Sequence, residues 1–339
     1  MKNGNSDIPE HPTDTDNTRF LASDSEFDAE NSKPSSAPPS SPPRVSVVIP
    51  VYNGEKEIGG CLRSVLDQTY PRQDYEIIVV NNASTDRTAA IVAEFPVRLV
   101  DEPKRGVANA RNAALAHARG ELIVFTDADC VADSKWLEEL VRAYDGGSNL
   151  GGVGGYLANL DPQTPIQYYI AERSLLAQEL AIEDGPYSAP FVVTANALLP
   201  RQLILDAGGF DPQCRISGED ADLCWRIGDS GKRFILAPGA VVYHRHRPGV
   251  RQFCRWMYRY GIGSVYLMKK HRQRYGIGHV FFDTDHYCIW TGAIARYLRR
   301  SPKGEDPWDH LFTGYDVLRF ACFTAGRVVG SIRYRAIIL

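Results

Sequence analysis

From Arg44 onward the apolar and polar positions fall into two rhythms that take turns. "RVSVVIPVYN" is β-branched and almost continuously apolar, the pattern of a strand buried on both faces. "EKEIGGCLRSVLDQ" then repeats its apolar residues at helical spacing. The unit recurs: "YEIIVV" is a strand, and "STDRTAAIVAEF" is a helix with Ser84, Thr85 or Asp86 as candidate N-caps. "VRLVD" is a strand, "VANARNAALAHA" an alanine-rich helix and "ELIVFTD" a fourth strand. Strands and helices alternating at this length predict right-handed crossovers and a parallel sheet covered by helices on both faces. Ligands of such sheets sit beyond the carboxyl ends of the strands. Here those ends carry Asn53, Asn81, Asn82, Asp101, Asp127 and Asp129, which predicts one polar rim.

Beyond about residue 150 the rhythm changes. "GGVGGYLANL" reads as a strand lying close to another backbone, since glycine permits the approach. "TPIQYYIAERSLLAQEL" reads as one amphipathic helix, "FVVTANALLP" as a strand and "RQLILDAGGFD" as a short helix ended by glycines. "KRFILAPGAVVYHRHRP" gives two short strands that lead into His244 and His246. In "VRQFCRWMYRYGIGSVYLMKKHRQR", Arg251, Arg255 and Arg259 recur at i, i+4, while Phe253, Trp256, Met257 and Tyr260 fall on another face. Such a helix either lies on an anionic membrane surface or packs its aromatics on the domain and leaves its arginines in solvent. "HLFTGYDVLRFACFTAGRVVGSIRYR" is interrupted by Asp316, Arg319 and Arg327, too polar to span a bilayer but suited to an interface or a packed hairpin.

At the other end, residues 1–43 are rich in Asp, Glu, Ser and Pro and poor in aliphatics, the composition of a disordered tail. The remaining organisation is therefore a domain over 44–250, in two parts over 44–130 and 131–250, and a basic, aromatic helical extension over 251–339. A chain of 339 residues with 44% hydrophobic content can bury a sizeable core, and a net charge of −3 gives no pull toward nucleic acid. The 7 cysteines are scattered with no C-x-x-C spacing, which favours reduced thiols and a cytoplasmic protein. A signal-peptide pattern and a bilayer-length apolar run are both missing from the sequence. The expected place is the cytoplasm, with peripheral contact on the inner face of the cell membrane if the extension binds lipid.

Three clusters carry candidate chemistry. Asp127 and Asp129 stand at i, i+2 after a strand, so both carboxylates can converge on one point, where a divalent cation with oxygen ligands offsets their repulsion. The alternative is a solvated turn capping the helix that starts near Asp133. "SGEDADLCWRIGDSG" brings Glu219, Asp220 and Asp222 to the start of a helix. Asp220 and Asp222 do not share a helical face, so one can serve as a general base while the other caps or pairs; the alternative is acid placement favoured by the helix dipole. His244 and His246 form the third cluster, from which one imidazole can complete an oxygen-rich metal site; the alternative is a purely structural pair. No phosphate-binding glycine loop follows the first strand.

The order and spacing of "VVIPVYNGE", "VVNNASTD", "GVANARNAAL", "DAD", "GGFDPQCRISGEDADLCWRI" and "VYHRHR" resemble family 2 glycosyltransferases of the GT-A fold, over about residues 44 to 250. The resemblance implies an α/β fold with a Rossmann-like, mostly parallel central sheet flanked by helices, here with a C-terminal amphipathic helical extension. It also implies inverting transfer from a nucleotide-sugar to a glycan or lipid-linked acceptor, with Mg²⁺ or Mn²⁺. Pro50, Tyr52, Asn53, Glu55 and Asp86 would line the nucleotide pocket, Asn82 would approach the base and Arg111 the base or a phosphate. Asp127 would meet ribose and metal, Asp129 would ligate the metal with His244 completing its shell, and Asp220 would be the base with Glu219 beside it. Many relatives carry an acidic pair where this chain has Asn81 and Asn82, so the choice of UDP-sugar over GDP- or dTDP-sugar is a first choice. Gln252, Arg255 and Trp256 match the Q-x-x-R-W pattern of processive synthases, whose transmembrane helices this sequence lacks; an acceptor-side lid is the expected role. Outside the family reading stand a non-catalytic nucleotide-sugar-binding scaffold and a nucleotidyltransferase.

Overall fold

The computed structural model describes residues 42–185, 188–278, 280–299 and 307–339. The expected tail therefore lies outside the described residues up to position 41. In β1 (Val45–Val51), Val45, Val47, Ile49 and Val51 enter one hydrophobic core and Val48 the opposite one. The same alternation holds in β2 (Tyr75–Asn81), where Ile77 and Val79 face one side and Ile78 and Val80 the other. This two-sided burial is why these strands read as unbroken apolar runs. The first core is covered by α1 (Ile58–Leu66), α2 (Thr88–Val92) and the later α4 (Trp136–Asp145). The second is covered by α3 (Val107–His117).

With β3 (Arg98–Asp101), β4 (Leu122–Thr126), β5 (Cys130–Ala132), β6 (Leu150–Asn159), β7 (Asn196–Pro200) and β8 (Arg233–His244), these strands form an 8-stranded sheet in the order β3-β2-β1-β4-β7-β6-β8-β5. The pairs β1–β2, β1–β4, β2–β3 and β6–β8 are parallel, whereas β7 runs against β4 and β6, and β5 against β8. The carboxyl ends of β1, β2, β3, β4, β6 and β8 consequently share one edge of the sheet. The expected pair of strands in "KRFILAPGAVVYH" is the single strand β8, whose register against β6 jumps between Gly155 and Tyr156. Asn196 holds that bulge by donating to the carbonyls of Tyr156 (2.9 Å) and Ala240 (2.8 Å) while accepting from Trp136 Nε1 (2.8 Å). A Cβ on Gly152 would lie 2.9 Å from the Leu198 carbonyl, so β6 does approach a neighbouring backbone closely.

The single helix expected from "TPIQYYIAERSLLAQEL" is two, α5 (Pro165–Glu172) and α6 (Gln178–Ile182). Thr164 caps the first, and Ser174 at φ 46° turns the chain before the second. Next come α7 (Arg201–Asp206), ended by Gly208 and Gly209 at positive φ, and α8 (Glu219–Gly228).

The C-terminal helices are α9 (Val250–Lys270), α10 (Thr284–Arg299) and α11 (Pro307–Tyr334), with β9 (Val280–Phe281) and β10 (Ile337–Ile338) paired beside them. α9 and α11 do not form a hairpin: Gly261 meets Gly326, Val265 meets Gly330, and Lys269 Nζ donates to the Tyr334 carbonyl (2.6 Å), so they run in the same direction. A methyl on Gly261 would collide with the Phe323 carbonyl. The aromatics of α9 pack on the domain, with Phe253 and Met257 buried against Ile166, Tyr169, Ile170 and Phe312. The charges that interrupt α11 point inward. Asp316 accepts from Tyr169 Oη (2.9 Å) and Arg173 Nη2 (3.2 Å), and Arg327 pairs with Asp283 (2.9 Å). The described residues form one compact unit with no divide near residue 250. Among them, no helix is long and apolar enough to cross a membrane.

Candidate active site

The sheet delivers Asp127 and Asp129 at the end of β4, and the chain then reverses into β5 beside β8, which brings His244 opposite Cys130. Helix α3 contributes Arg111, whose side chain is 3% exposed. Its Nη1 donates to Glu219 Oε1 (2.7 Å) and its Nη2 to Asp127 Oδ1 (3.4 Å). One buried guanidinium thus joins the two acidic clusters that are far apart in the sequence. Gly218, in the left-handed region at φ 86°, turns the chain into α8 and sets Glu219 and Asp220 at its first turn.

Asp220 accepts from the Ala221 N–H (2.9 Å), and burial together with the Glu219 charge pushes its carboxyl up to about 7 despite Arg111. Burial also raises Asp127, with the Asp129 charge adding and Arg111 subtracting. Asp222 behaves in the opposite way. Burial opposes its ionisation, but hydrogen bonds from His271 (2.8 Å) and Lys270 (2.7 Å) and the charge of Arg226 hold it at about 2. So Asp220 opens onto a cavity of about 300 Å³ while Asp222 locks α8 to the end of α9.

That cavity collects Arg111, Asp127, Asp129, Glu219, Asp220 and His244, and α9 forms a wall of it with Gln252, Arg255 and Trp256. Gln252 also caps α9, its Oε1 accepting from the Gly249 N–H (3.2 Å). Sequence reasoning did not assign Thr194, Arg247, Arg259 or Tyr260 to the site, yet all four line it. The i, i+4 step from Arg255 to Arg259 was the available signal, and it was read as a solvated or lipid-facing stripe. His246 is not a candidate ligand: its Nε2 is engaged with Asn159 Oδ1 (2.7 Å), and burial drives its ring down to about 3, which keeps it neutral.

For a divalent ion the donors fit. Asp129 Oδ1 lies 3.6 Å from His244 Nε2, and ligand atoms of Asp129, Cys130 and His244 fall within 4.8 Å of one another. His244 Nδ1 is buried without a hydrogen-bond partner. Carboxylate and imidazole suit Mg²⁺ or Mn²⁺, whereas burial and the Asp129 charge push the Cys130 thiol well up and keep it protonated. The cluster of Asp211, Cys214 and Asp222 lacks that character, because Lys270 already neutralises both carboxylates.

The residues expected at the nucleotide end gather at the ends of β1 and β2 but do not line the acidic cavity. Asn53 Oδ1 accepts from Thr85 N (2.8 Å), Glu55 Oε2 from Arg87 N (3.1 Å), and Asp86 Oδ2 from Glu55 N (3.2 Å), so these side chains lace two loops together. Pro50 sits in β1 opposite Val80. Tyr52 is 42% exposed with the Arg105 guanidinium 3.7 Å over its ring. The Asn82 amide is engaged within the protein: Nδ2 donates to the carbonyls of Glu102 and Lys104 (2.9 Å each), and Oδ1 accepts from Gly106 N (2.7 Å). Arg111, expected to approach a base or a phosphate, has both of its Nη atoms on carboxylates.

A sheet of this order with a two-aspartate strand exit defines the GT-A class, and comparison with solved structures agrees. The chain matches the mannosyltransferase PcManGT from Pyrobaculum calidifontis, solved with GDP-Man and Mn²⁺, at a TM-score of 0.60 and 24% identity over 93% of this chain and 92% of that one. The model of glycosyl transferase family 2 matches residues 46–206. The glycosyltransferase AglE of Haloferax volcanii is 31% identical over 229 residues, 66% of this chain and 73% of AglE. The pre-mycofactocin glycosyltransferase of Mycobacterium tuberculosis is 28% identical over 253 residues, 72% of this chain but only 52% of that protein. The chain belongs to glycosyltransferase family 2, and it is a glycosyltransferase.

Proposed function

We propose that the protein transfers a sugar from a nucleotide-sugar, a UDP-sugar first among the candidates, to an acceptor hydroxyl with inversion at the anomeric carbon. The acceptor oxygen forms its bond to that carbon, the bond to the diphosphate breaks with its electron pair leaving on the nucleotide, and the hydroxyl proton passes to Asp220. The observation that most supports this reading is a half-buried carboxyl at about 7 in the same cavity as Asp127 and Asp129, which matches what a general base at neutral pH requires. Glu219, fixed by Arg111, positions Asp220 and raises its proton affinity. Asp127, Asp129 and His244 would hold Mg²⁺ or Mn²⁺, which when bound supplies Lewis-acid charge to the diphosphate. Arg255, Arg259 and Trp256 form the acceptor-side wall in this reading. The intact Glu219–Asp220 pair speaks against a mere binding scaffold. For a glycan or lipid-linked acceptor, exposed Val328, Val329 and Ile332 on α11 support peripheral membrane contact, measurable as sedimentation with anionic liposomes.

Thermal-shift measurements with UDP-, GDP- and dTDP-sugars, with and without Mn²⁺, test the donor reading, because a ligand that binds only the native state raises its apparent stability. One nucleotide class should shift the parent protein in a metal-dependent way and leave Asp129→Ala unshifted. No shift from any donor would overturn the assignment of this cavity. GDP-mannose belongs in the panel because the Pyrobaculum enzyme holds it.

A further inference from the structure

A second cavity, of about 440 Å³, lies on the other side of Asp220. It shares Leu176, Val193, Asp220 and Tyr260 with the acidic cavity, so Asp220 borders both spaces. Their linings differ in kind. The first is lined by arginines, carboxylates and imidazole, whereas the second is walled largely by Leu180, Phe191, Trp225, Leu267, Met268 and Phe323. The elements that build it are α6 and the turn before it, the segment that leads into β7, α8, and the facing sides of α9 and α11. Arg327 also lines it, 5% exposed and held by Asp283, with its Nε lacking any hydrogen-bond partner.

We propose that this second cavity is the seat of the acceptor, and that the acceptor is an amphiphile: a hydroxyl carried on an apolar body, not a free hydrophilic saccharide. The proposal rests on Asp220 being the base and identifies the substrate class of that site. A hydroxyl that enters from this side meets Asp220 at the boundary, next to the α9 wall of Arg255, Trp256 and Arg259, while the donor occupies the part of the acidic cavity around Asp127 and Asp129. The apolar body then leaves water for a volume within the range of small-molecule pockets, and that burial drives its binding. A free saccharide would instead leave its hydroxyls against leucine, phenylalanine and tryptophan, where unpaired polar groups are costly. The unpartnered Nε of Arg327 offers one donor to an oxygen on the ligand, which suits an amphiphile better than a pure hydrocarbon.

Calorimetric titration of the full chain with methyl, octyl and decyl β-D-glucosides, below their micelle concentrations, tests this. Affinity should rise with chain length, about tenfold for the two methylenes between octyl and decyl, and methyl glucoside should not bind measurably. Ala177→Trp, which fills the cavity, and Leu180→Asp, at an exposed rim position, should each abolish the chain-length dependence while keeping the donor-induced thermal shift. Equal affinities across the series, or a dependence untouched by both variants, would overturn the proposal even where the donor shift is intact. If the chain-length dependence appears and no nucleotide-sugar binds, the apolar site stands and the donor reading fails.

Discussion

In β1 alternate side chains enter one of two cores, and apart from buried Ser46 the polar residues come where the strand stops. In α11 the order is turned round: Asp316 and Arg327 are buried, while Ile332 is 76% exposed. The first region is governed by a sheet whose two faces are both covered, so its pattern follows from its own hydrogen bonding and can be read locally. The second is governed by what it packs against. Asp316 is buried because Tyr169 and Arg173 stand ready on α5, and no periodicity within α11 announces them. Chemistry divides along a similar line, since the end of β4 and the first turn of α8 supply the carboxylates and the C-terminal helices shape the space around them.

The sharpest test of that division is Asp220→Asn. As the general base, its loss should lower kcat by about 10²- to 10⁴-fold, measured with saturating donor and acceptor. In the parent protein kcat/KM should fall below about pH 7, roughly tenfold per unit, because the base must be ionised. The sign for stability is opposite. A folded-state pKa raised above its unfolded value means that ionised Asp220 costs stability in full above about pH 7; the cost shrinks as pH falls below that value and is gone near the ordinary value of 3.8. Asp220→Asn should therefore be at least as stable as the parent at pH 8, with a margin that shrinks toward pH 5. A kcat within twofold of the parent would remove Asp220 from catalysis.

Asp222→Ala, two residues on and on another face of α8, should do the reverse. It leaves Arg226, Lys270 and His271 facing an empty site, a loss of about 3–5 kcal/mol by urea denaturation. Its carboxyl is held at about 2, so the contribution is complete above about pH 4 and lost only as pH drops through 2. A loss under about 1 kcal/mol would mean that α9 is held to the domain by its apolar face alone. Next in size is Gly261→Ala, where the added methyl meets the Phe323 carbonyl and should cost about 1–3 kcal/mol. Within the first region, Arg44→Ala breaks exposed pairs with Glu121 and Asp145. It should change stability by less than about 1 kcal/mol; a larger change would mean that this edge depends on its charges.

How far the sequence could be read follows from these particulars. The strands 45–51, 75–81 and 122–126 were legible because each buries both faces. The carboxylates Asp127, Asp129 and Asp220 were legible by motif, and they do meet in one cavity. Ser174 was not, since no residue in "AERSLLAQ" signals a positive φ, and so one helix was expected where two exist. Pro238 and Gly239 suggested a break in β8, but Asn196, distant in sequence, holds the strand across it. The motif around Arg111 was visible, but its pairing with Glu219, 108 residues later, was not, because nothing local to either residue announces the other. Arg259 and Tyr260 were hidden because a helical stripe tells which residues share a face, not what that face meets.

The passage of α9 against α11 at Gly261 and Gly326 has a mechanical consequence. Where backbones touch there is no side-chain cushion to absorb a displacement. Arg259 and Tyr260 immediately precede Gly261, so movement of α11 is transmitted stiffly to the wall beside Asp220. The glycine contact has the geometry of a fulcrum, so a load on the outer face of α11 should register as a change in the width of the space beside Asp220.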